Sequence, residues 1–457
     1  MRLYNTLTRQ IEELKPQHPP IVSVYTCGPT VYDYMHIGNW FTFIRYDLLI
    51  RTLKLSGYTP DWVINITDVG HLTSDADEGE DKLAKQAAKE GKTAWDIANF
   101  YSEYFLKDLE KLNISHPDHI PKATDHIADQ IDFISKLEAK GYTYKLADGV
   151  YYDTQKFPRY ADFARLDIDE QQSAARIEVN PDKHNPSDFA LWKFSPLDRK
   201  RDMEWDSPWG KGFPGWHIEC SSMCLKYLGE TVDIHSGGID HIPVHHTNEI
   251  AQSEALTNKP LAKIWMHTNH ILINDTKISK SLGNTITLED IEARGFSAET
   301  LRMLCLESHY RTQSKFSWDS MSAAQARLLR YRNFAVRRFQ SVGQAQLETP
   351  DLLGQMQNDL NSPQALATLE SWLDQAEALN PNVESINKVV ILVDDLLGLR
   401  LTQVKDIDDQ YKQLIAQREV SRADKNWVQA DQIRSQLEEA NITVLDRPSG
   451  PLWQYLS

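Results

Sequence analysis

Hydrophobic and polar positions change regime several times along the chain. Ile21-Val22-Ser23-Val24-Tyr25 is a short β-branched run, followed by a Gly/Pro turn and an apolar helical pattern from Trp40 through Leu53. Trp62-Val63-Ile64-Asn65-Ile66 repeats the strand signal, ahead of a polar loop and a helical stretch from about Asp81 to Leu112. Strand, loop, helix, strand is the order of a parallel sheet with crossover helices. From about His116 to Lys200 the pattern turns irregular, broken by Pro117, Pro121, Pro158, Pro181 and Pro186, and reads as an insertion. Strand signals resume at Thr231-Val232-Asp233-Ile234-His235 and Ile264-Trp265-Met266-His267, each beside a helical pattern. Beyond Ser297 nearly everything has helical periodicity until Ile442-Thr443-Val444-Leu445. The pattern predicts an α/β parallel-sheet domain split by an insertion, followed by an α-helical C-terminal region. In such sheets ligands bind beyond the C-terminal strand ends, so chemistry is sought there.

Composition narrows the class. A chain of 457 residues is long enough for about three domains, and 41% hydrophobic with 25% charged residues excludes disorder as its main theme. Four cysteines are too few for a disulfide scaffold, which leaves core fillers, metal ligands or reactive thiols. No apolar run approaches ~18 residues, and Met1-Arg2-Leu3-Tyr4-Asn5 lacks a signal-peptide core, so a cytoplasmic protein without membrane contact is expected. The formal charge of −16 opposes unspecific polyanion binding but permits docking through a local basic stripe.

Two segments carry phosphate chemistry. Thr26-Cys27-Gly28-Pro29 follows the first strand, and His36-Ile37-Gly38-Asn39 opens a helix whose N–H groups and dipole suit an anion; a Gly turn with a chance His is the alternative. Lys277-Ile278-Ser279-Lys280-Ser281-Leu282-Gly283-Asn284 places two ammonium groups three residues apart in a loop suited to a polyphosphate, or to simple solvation. Together the pair resembles the HIGH and KMSKS signatures of class I aminoacyl-tRNA synthetases, each departing at one position. Ile278 for Met conserves volume, whereas Asn39 for the second His keeps a donor but loses the option of positive charge.

A second constellation bears on the amino acid. Gly215-Trp216-His217-Ile218-Glu219-Cys220, His235-Ser236-Gly237-Gly238-Ile239-Asp240 and His245-His246-Thr247-Asn248-Glu249, with Cys27, are similar to the cysteinyl-tRNA synthetases essentially end to end. The resemblance implies a Rossmann-like catalytic domain and one Zn2+ per chain on Cys27, Cys220, His245 and Glu249. His245 and Glu249 are spaced i,i+4, so on a helix they share a face. By the same resemblance His36, Asn39, Lys277 and Lys280 are catalytic. His36, Gly38, Asn39, Gly237, Gly238, Asp240, Lys277 and Lys280 bind ATP with Mg2+, while Thr67, Trp216 and His235 meet cysteine. Zinc would act as a filter for the substrate thiolate against serine, because shape alone discriminates a methylene-sized change only about 10–200-fold.

Bland readings hold for other features. Cys224 is expected to be a packed thiol, Cys305 core, and His246 to point off the face that His245 and Glu249 share. Asp75-Ala76-Asp77-Glu78-Gly79-Glu80-Asp81 fails as an EF-hand, since Gly79 falls where a ligand is needed and Gln86 stands at position 12. Arg327 to Phe339 holds five Arg and no acid, a stripe fit for a phosphate backbone or for solvent.

Residues 401–457 hold seven Lys/Arg and nine Asp/Glu, so RNA contact there requires stacking and base hydrogen bonds rather than bulk charge. The segment from Arg418 to Trp453 resembles the family's anticodon-binding tail, which implies that Arg422, Trp427, Asp431 and Asp446 read tRNA(Cys). The division expected is 1–115 and 201–296 for the catalytic halves, 116–200 for the insertion, 297–400 for a helical junction and 401–457 for the tail. The function implied is ATP-dependent activation of L-cysteine and transfer to tRNA(Cys) by a monomer. The alternatives are a ligase passing cysteine to an amino sugar, which should lack the tail, and a degenerate tRNA-binding paralogue, prompted by Asn39.

Overall fold

The computed structural model describes residues 1–70, 81–165, 181–196, 201–273, 276–277, 285–447 and 450–457, with only the backbone at 276–277. The acidic run at 75–80 and the lysine loop at 278–284, with Lys280, therefore lie outside the described residues.

A hairpin of β1 (Arg2–Asn5) and β2 (Gln10–Glu13), not evident in the hydrophobic pattern, opens the chain. Next come β3 (Ile21–Thr26), α1 (Ile37–Leu55) and β4 (Thr59–Ile64). The single helix expected over 81–112 is two, α2 (Lys82–Glu90) and α3 (Ala94–Lys111). Gly91 stops the first in the left-handed region at φ 66°, and the Thr93 hydroxyl restarts the second by accepting from the Asp96 N–H.

The irregular stretch holds more order than its sequence suggests: α4 (Ile127–Ala139), β5 (Thr143–Leu146), β6 (Gly149–Tyr152) and β7 (Phe189–Phe194). These strands form an antiparallel sheet whose fourth member, β8 (Gly212–Pro214), lies beyond residue 200. Then follow α5 (Trp216–Leu228), β9 (Val232–Gly238), α6 (Thr247–Thr257) and β10 (Ala262–Thr268).

The central sheet runs β10-β9-β3-β4 with every pair parallel. From β3 the chain crosses to β4 on one side, and from β9 to β10 on the other, so a crevice forms where β3 and β9 end. The Cys27 N–H donates to the Ser236 carbonyl at 3.0 Å and sets this seam. Alternation along β3 sends Val22 and Val24 to the core that holds Trp40, Ile44 and Leu48 of α1, while Tyr25 joins the opposite core with Val63, Val232 and Trp265.

Beyond the sheet stand β11 (Ile271–Ile273), β12 (Thr276–Lys277), α7 (Leu288–Ala293), α8 (Ala298–Leu306), β13 (Ser314–Phe316), α9 (Trp318–Ala335) and α10 (Leu352–Gln357). The end of the chain is α11 (Ser362–Leu379), α12 (Val383–Leu397), α13 (Asp409–Ala423), α14 (Trp427–Glu439) and the hairpin β14 (Ile442–Leu445) with β15 (Leu452–Tyr455). A fully buried ion pair fastens the helical region to the catalytic half. Asp47 of α1 meets Arg302 of α8, and Arg302 also donates to the carbonyls of Leu397 at 2.6 Å and Leu112 at 3.0 Å. Removing one partner of such a pair costs about 3–5 kcal/mol, because the other charge stays buried alone.

Candidate functional site

A cavity of about 340 Å3 opens at the C-terminal ends of β3 and β9. Its wall includes Cys27, His36, Asn39, Thr67, Trp216 and Asp240, which sequence reasoning drew from five separate segments. Gly28 is needed for the turn after β3, since a Cβ there would sit 1.6 Å from the Asn65 carbonyl oxygen. His36 is the N-cap of α1, and Asn39 is its N3 residue. The Asn39 N–H donates to His36 Nδ1 at 3.4 Å and the His36 N–H to Asn39 Oδ1 at 3.1 Å, a reciprocal capping box. The Ile37 N–H donates to the Ile286 carbonyl at 2.8 Å, so this helix start is tied to the chain just beyond the lysine loop.

At one side of the cavity Cys27, Cys220, His245 and Glu249 place their donor atoms within 4.8 Å of one another, all four buried. Cys27 follows β3, Cys220 lies on α5, and Glu249 begins α6. Tetrahedral zinc bonds of about 2.0–2.3 Å set donors about 3.3–3.8 Å apart. Here Cys27 Sγ is 3.8 Å and His245 Nε2 is 3.0 Å from Glu249 Oε1. The donor set fits a zinc ion, with the Cys27–Glu249 separation inside that range and the His245–Glu249 separation, a hydrogen-bonding distance, just below it.

The electrostatics point the same way. Burial pushes the Cys27 thiol up, and the hydrogen bond from Cys27 pulls the Cys220 thiol down to about 6. Burial opposes charge on Glu249, yet His235 and His245 hold its carboxyl well below the usual range. Burial likewise opposes charge on His245, which Glu249 and Cys220 nevertheless raise to about 10. The dry pocket thus holds negative charge on Cys220 and Glu249 balanced by a proton on His245, the proton that a metal ion would displace.

Around the four runs a layer of imidazoles that the sequence reading largely missed. His246 does not point off the face: its Nε2 is 3.3 Å from Cys27 Sγ and 3.8 Å from Glu249 Oε1. The reason is local geometry, since Ile242–His246 is wound as a π-helical turn and His246 is i,i+3 to Glu249. Its Nδ1 meets His267 Nε2 at 2.8 Å, and His217 Nδ1 lies 3.0 Å from His245 Nδ1. His235, expected beside the substrate, is fully buried behind Glu249, 2.9 Å from its Oε2, and stacks on Trp265. It does not line the cavity. Trp216 does, with its ring centroid 4.4 Å from that of His245. Burial brings His241, another wall residue, down to about 3, so it is neutral.

Elsewhere in the wall Asp240 Oδ1 meets His270 Nε2 at 2.9 Å, and both face the cavity with Gly238. Gly237 is packed rather than open: a Cβ would lie 2.5 Å from the His246 ring and 2.7 Å from that of His241. Cys224 and Cys305 are buried and join the hydrophobic cores. Of Lys277 only the backbone, paired with Leu272, is described.

In the tail, Asp446 takes a two-pronged contact from Arg418 at 2.8 and 3.1 Å and another from Arg422 at 3.1 Å. The Arg422 guanidinium lies 5.9 Å from the Trp427 ring, which is 55% exposed, and Asp431 is exposed on the same helix. The arginine stripe of α9 and the turn after it is not a phosphate track. Arg327 and Arg330 pair with Glu370, Arg332 with Glu299 at 3.8 Å and Arg337 with Glu377 at 3.6 Å, while Arg338 donates to the carbonyls of Thr402 and Val404.

Comparison with known proteins bears on this arrangement. The family model of tRNA synthetases class I (C) catalytic domain matches residues 13–326, and that of the cysteinyl-tRNA ligase anticodon binding domain matches 404–453. The chain is 45% identical to Cysteine-tRNA ligase 1 of Burkholderia lata, covering 98% of this chain and 96% of that protein. It is 39% identical to Cysteine-tRNA ligase of Treponema denticola over the whole of both chains. Mycobacterium tuberculosis methionyl-tRNA synthetase bound by methionyl-adenylate shares the fold, with a TM-score of 0.63 at 15% identity over 85% of this chain and 93% of that one.

Proposed function

The chain belongs to the cysteine-tRNA ligase family of class I aminoacyl-tRNA synthetases, and from that premise we propose which of its residues perform each part of the reaction. The enzyme couples ATP to the joining of cysteine and tRNA. The cysteine carboxylate attacks the α-phosphorus of ATP; the new P–O bond forms as the α–β bridging P–O bond breaks, and pyrophosphate leaves with the electron pair. The terminal ribose hydroxyl of tRNA then displaces AMP from the acyl carbon.

His36, Gly38 and Asn39 at the N-terminus of α1 receive the phosphates, where the positive end of the helix dipole favours an anion. Lys277 and Lys280 stabilise the charge that grows on departing pyrophosphate, with Mg2+ carried by the nucleotide. Asp240, with Gly237 and Gly238 beside it, holds the adenosine ribose. Thr67 and Trp216 border the cysteine, and His235 acts on it only through Glu249. Cys27, Cys220, His245 and Glu249 are the residues that would hold zinc, and a zinc ion there supplies affinity for a thiolate that it does not extend to a serine hydroxyl. Arg422, Trp427, Asp431 and Asp446 read the anticodon loop.

The observation that carries this reading is that the four-donor cluster opens through Cys27, Cys220 and His245 into the cavity that also receives the start of α1. The 404–453 match weighs against the amino-sugar ligase, which needs no anticodon domain. Among the described residues no helix is long and apolar enough to cross a membrane. A cytoplasmic monomer divided at 1–115, 116–200, 201–296, 297–400 and 401–457 is the organisation we propose. Pyrophosphate exchange with cysteine against serine, with and without tRNA, tests the whole scheme. Exchange specific to cysteine supports it, and equal exchange with serine contradicts it.

A further inference from the structure

Among the described residues the cavity wall carries one lysine and no arginine, and that lysine is Lys82. It is the first residue of α2, half-buried, with its Nζ 5.8 Å from the centroid of the Tyr32 ring. No carboxylate among the described residues pairs with it. Asp81, next to it, caps α2 by accepting from the Ala84 N–H and binds Arg201, while Asp240, the one carboxylate among the described wall residues, faces His270. Local stability gives no reason for a cation here, because the first turn of a helix is the end where the macrodipole disfavours positive charge. Partial burial of an ammonium that no carboxylate among the described residues meets adds to that cost. Both costs disappear when an anion occupies the cavity.

The position also differs from that of Asp240 and His270. Asp240 and His270 reach the cavity from the ends of β9 and β10, whereas α2 packs through Leu83 and Ala87 on Val31 and Ile66, at the β3 and β4 side. We propose that Lys82 is a phosphate-binding residue of this pocket. Its ammonium meets a phosphate oxygen of the nucleotide or of the 3′-terminal linkage of tRNA from the β4 side, in addition to the lysines of the 277–281 loop. This rests on the reading of the cavity as the adenylation pocket.

The test compares wild type, Lys82→Met and Lys82→Arg in cysteine-dependent pyrophosphate exchange and in single-turnover transfer from preformed cysteinyl-adenylate to tRNA. Loss of one charge-assisted hydrogen bond should lower one of the two rates by about 10–100-fold in Lys82→Met. Lys82→Arg should recover most of it, metal content should not move, and the thermal midpoint of Lys82→Met should not fall. A fall in exchange with a raised KM for ATP assigns the contact to the nucleotide, and a fall confined to transfer assigns it to the tRNA linkage. An active wild type with Lys82→Met unchanged in both assays overturns this inference alone, as does a lowered thermal midpoint with equal losses that Lys82→Arg does not rescue. A wild type without exchange overturns the adenylation reading and this inference with it.

Discussion

His36 and Asn39 close each other's backbone hydrogen bonds at the start of α1, each side chain accepting from the other's main-chain N–H. Asn39 is therefore more than a neutral stand-in for a histidine: its Oδ1 is spent on the cap, and its NH2 is left at the cavity wall. Asn39→Ala should lower stability by about 0.5–2 kcal/mol through the lost cap and also slow adenylation. Asn39→Asp keeps the acceptor but turns a carboxylate toward the polyphosphate, so its urea midpoint should match wild type while pyrophosphate exchange falls. Equal activity of the Asp variant and wild type would remove Asn39 from the nucleotide site.

Asp108 on α3 gives the protein a pH-dependent weakness. Both carboxylate oxygens are buried with no hydrogen-bond partner among the described residues, and Lys111 is 3.9 Å away. Burial, with Glu292 and Glu289 nearby, raises its pKa to about 7. A carboxyl whose folded pKa exceeds its unfolded value near 3.9 binds more protons when folded, so this group's contribution to stability falls as pH rises from about 4 to 7. Asp108→Asn should raise the thermal midpoint at pH 8, where wild type holds a buried carboxylate, and leave it nearly unchanged at pH 5. A gain of the same size at both values would assign the effect to packing.

In the tail the two kinds of residue separate. Trp427→Ala and Asp431→Ala remove exposed groups and should weaken charging of tRNA(Cys) by about 1–3 kcal/mol each, with no effect on an acceptor minihelix and none on pyrophosphate exchange. Asp446→Ala takes a carboxylate from Arg418, which is only 5% exposed, so it should destabilise the α13–α14 unit as well. Steady-state charging of both RNAs beside thermal melts distinguishes the two. Parallel losses on both RNAs for Trp427→Ala would place that ring outside anticodon reading.

What the sequence made legible follows from local order. The parallel halves were readable because β3, β4, β9 and β10 are short β-branched runs beside helical periods, and His245 with Glu249 because i,i+4 spacing is a local quantity. What stayed hidden depends on partners far away in the chain. The arginines of α9 and the turn after it read as a basic face because Glu370, Asp374 and Glu377, which pair with Arg330 and Arg337, arrive on α11. His246 reads as pointing away on a regular helix and faces the donors only through the π-helical turn at Ile242–His246. The helix break at Gly91 was written in the sequence as a glycine before a threonine cap, a stop and start signal that the apolar periodicity across it obscured. That Lys82 has no carboxylate partner among the described residues has no sequence signature at all.

The central claim is that Cys27, Cys220, His245 and Glu249 form a metal site whose purpose is to choose cysteine over serine. The most direct measurement takes purified wild type, Cys27→Ser and His245→Ala, determines zinc per chain by elemental analysis, and follows pyrophosphate exchange with cysteine and with serine on the same samples. The account predicts about one zinc in wild type, a large loss of metal in both variants, and a fall in cysteine exchange and in selectivity that tracks the metal content, because each variant removes one strong donor from a four-donor site. Full zinc occupancy with unchanged preference for cysteine in both variants would contradict it.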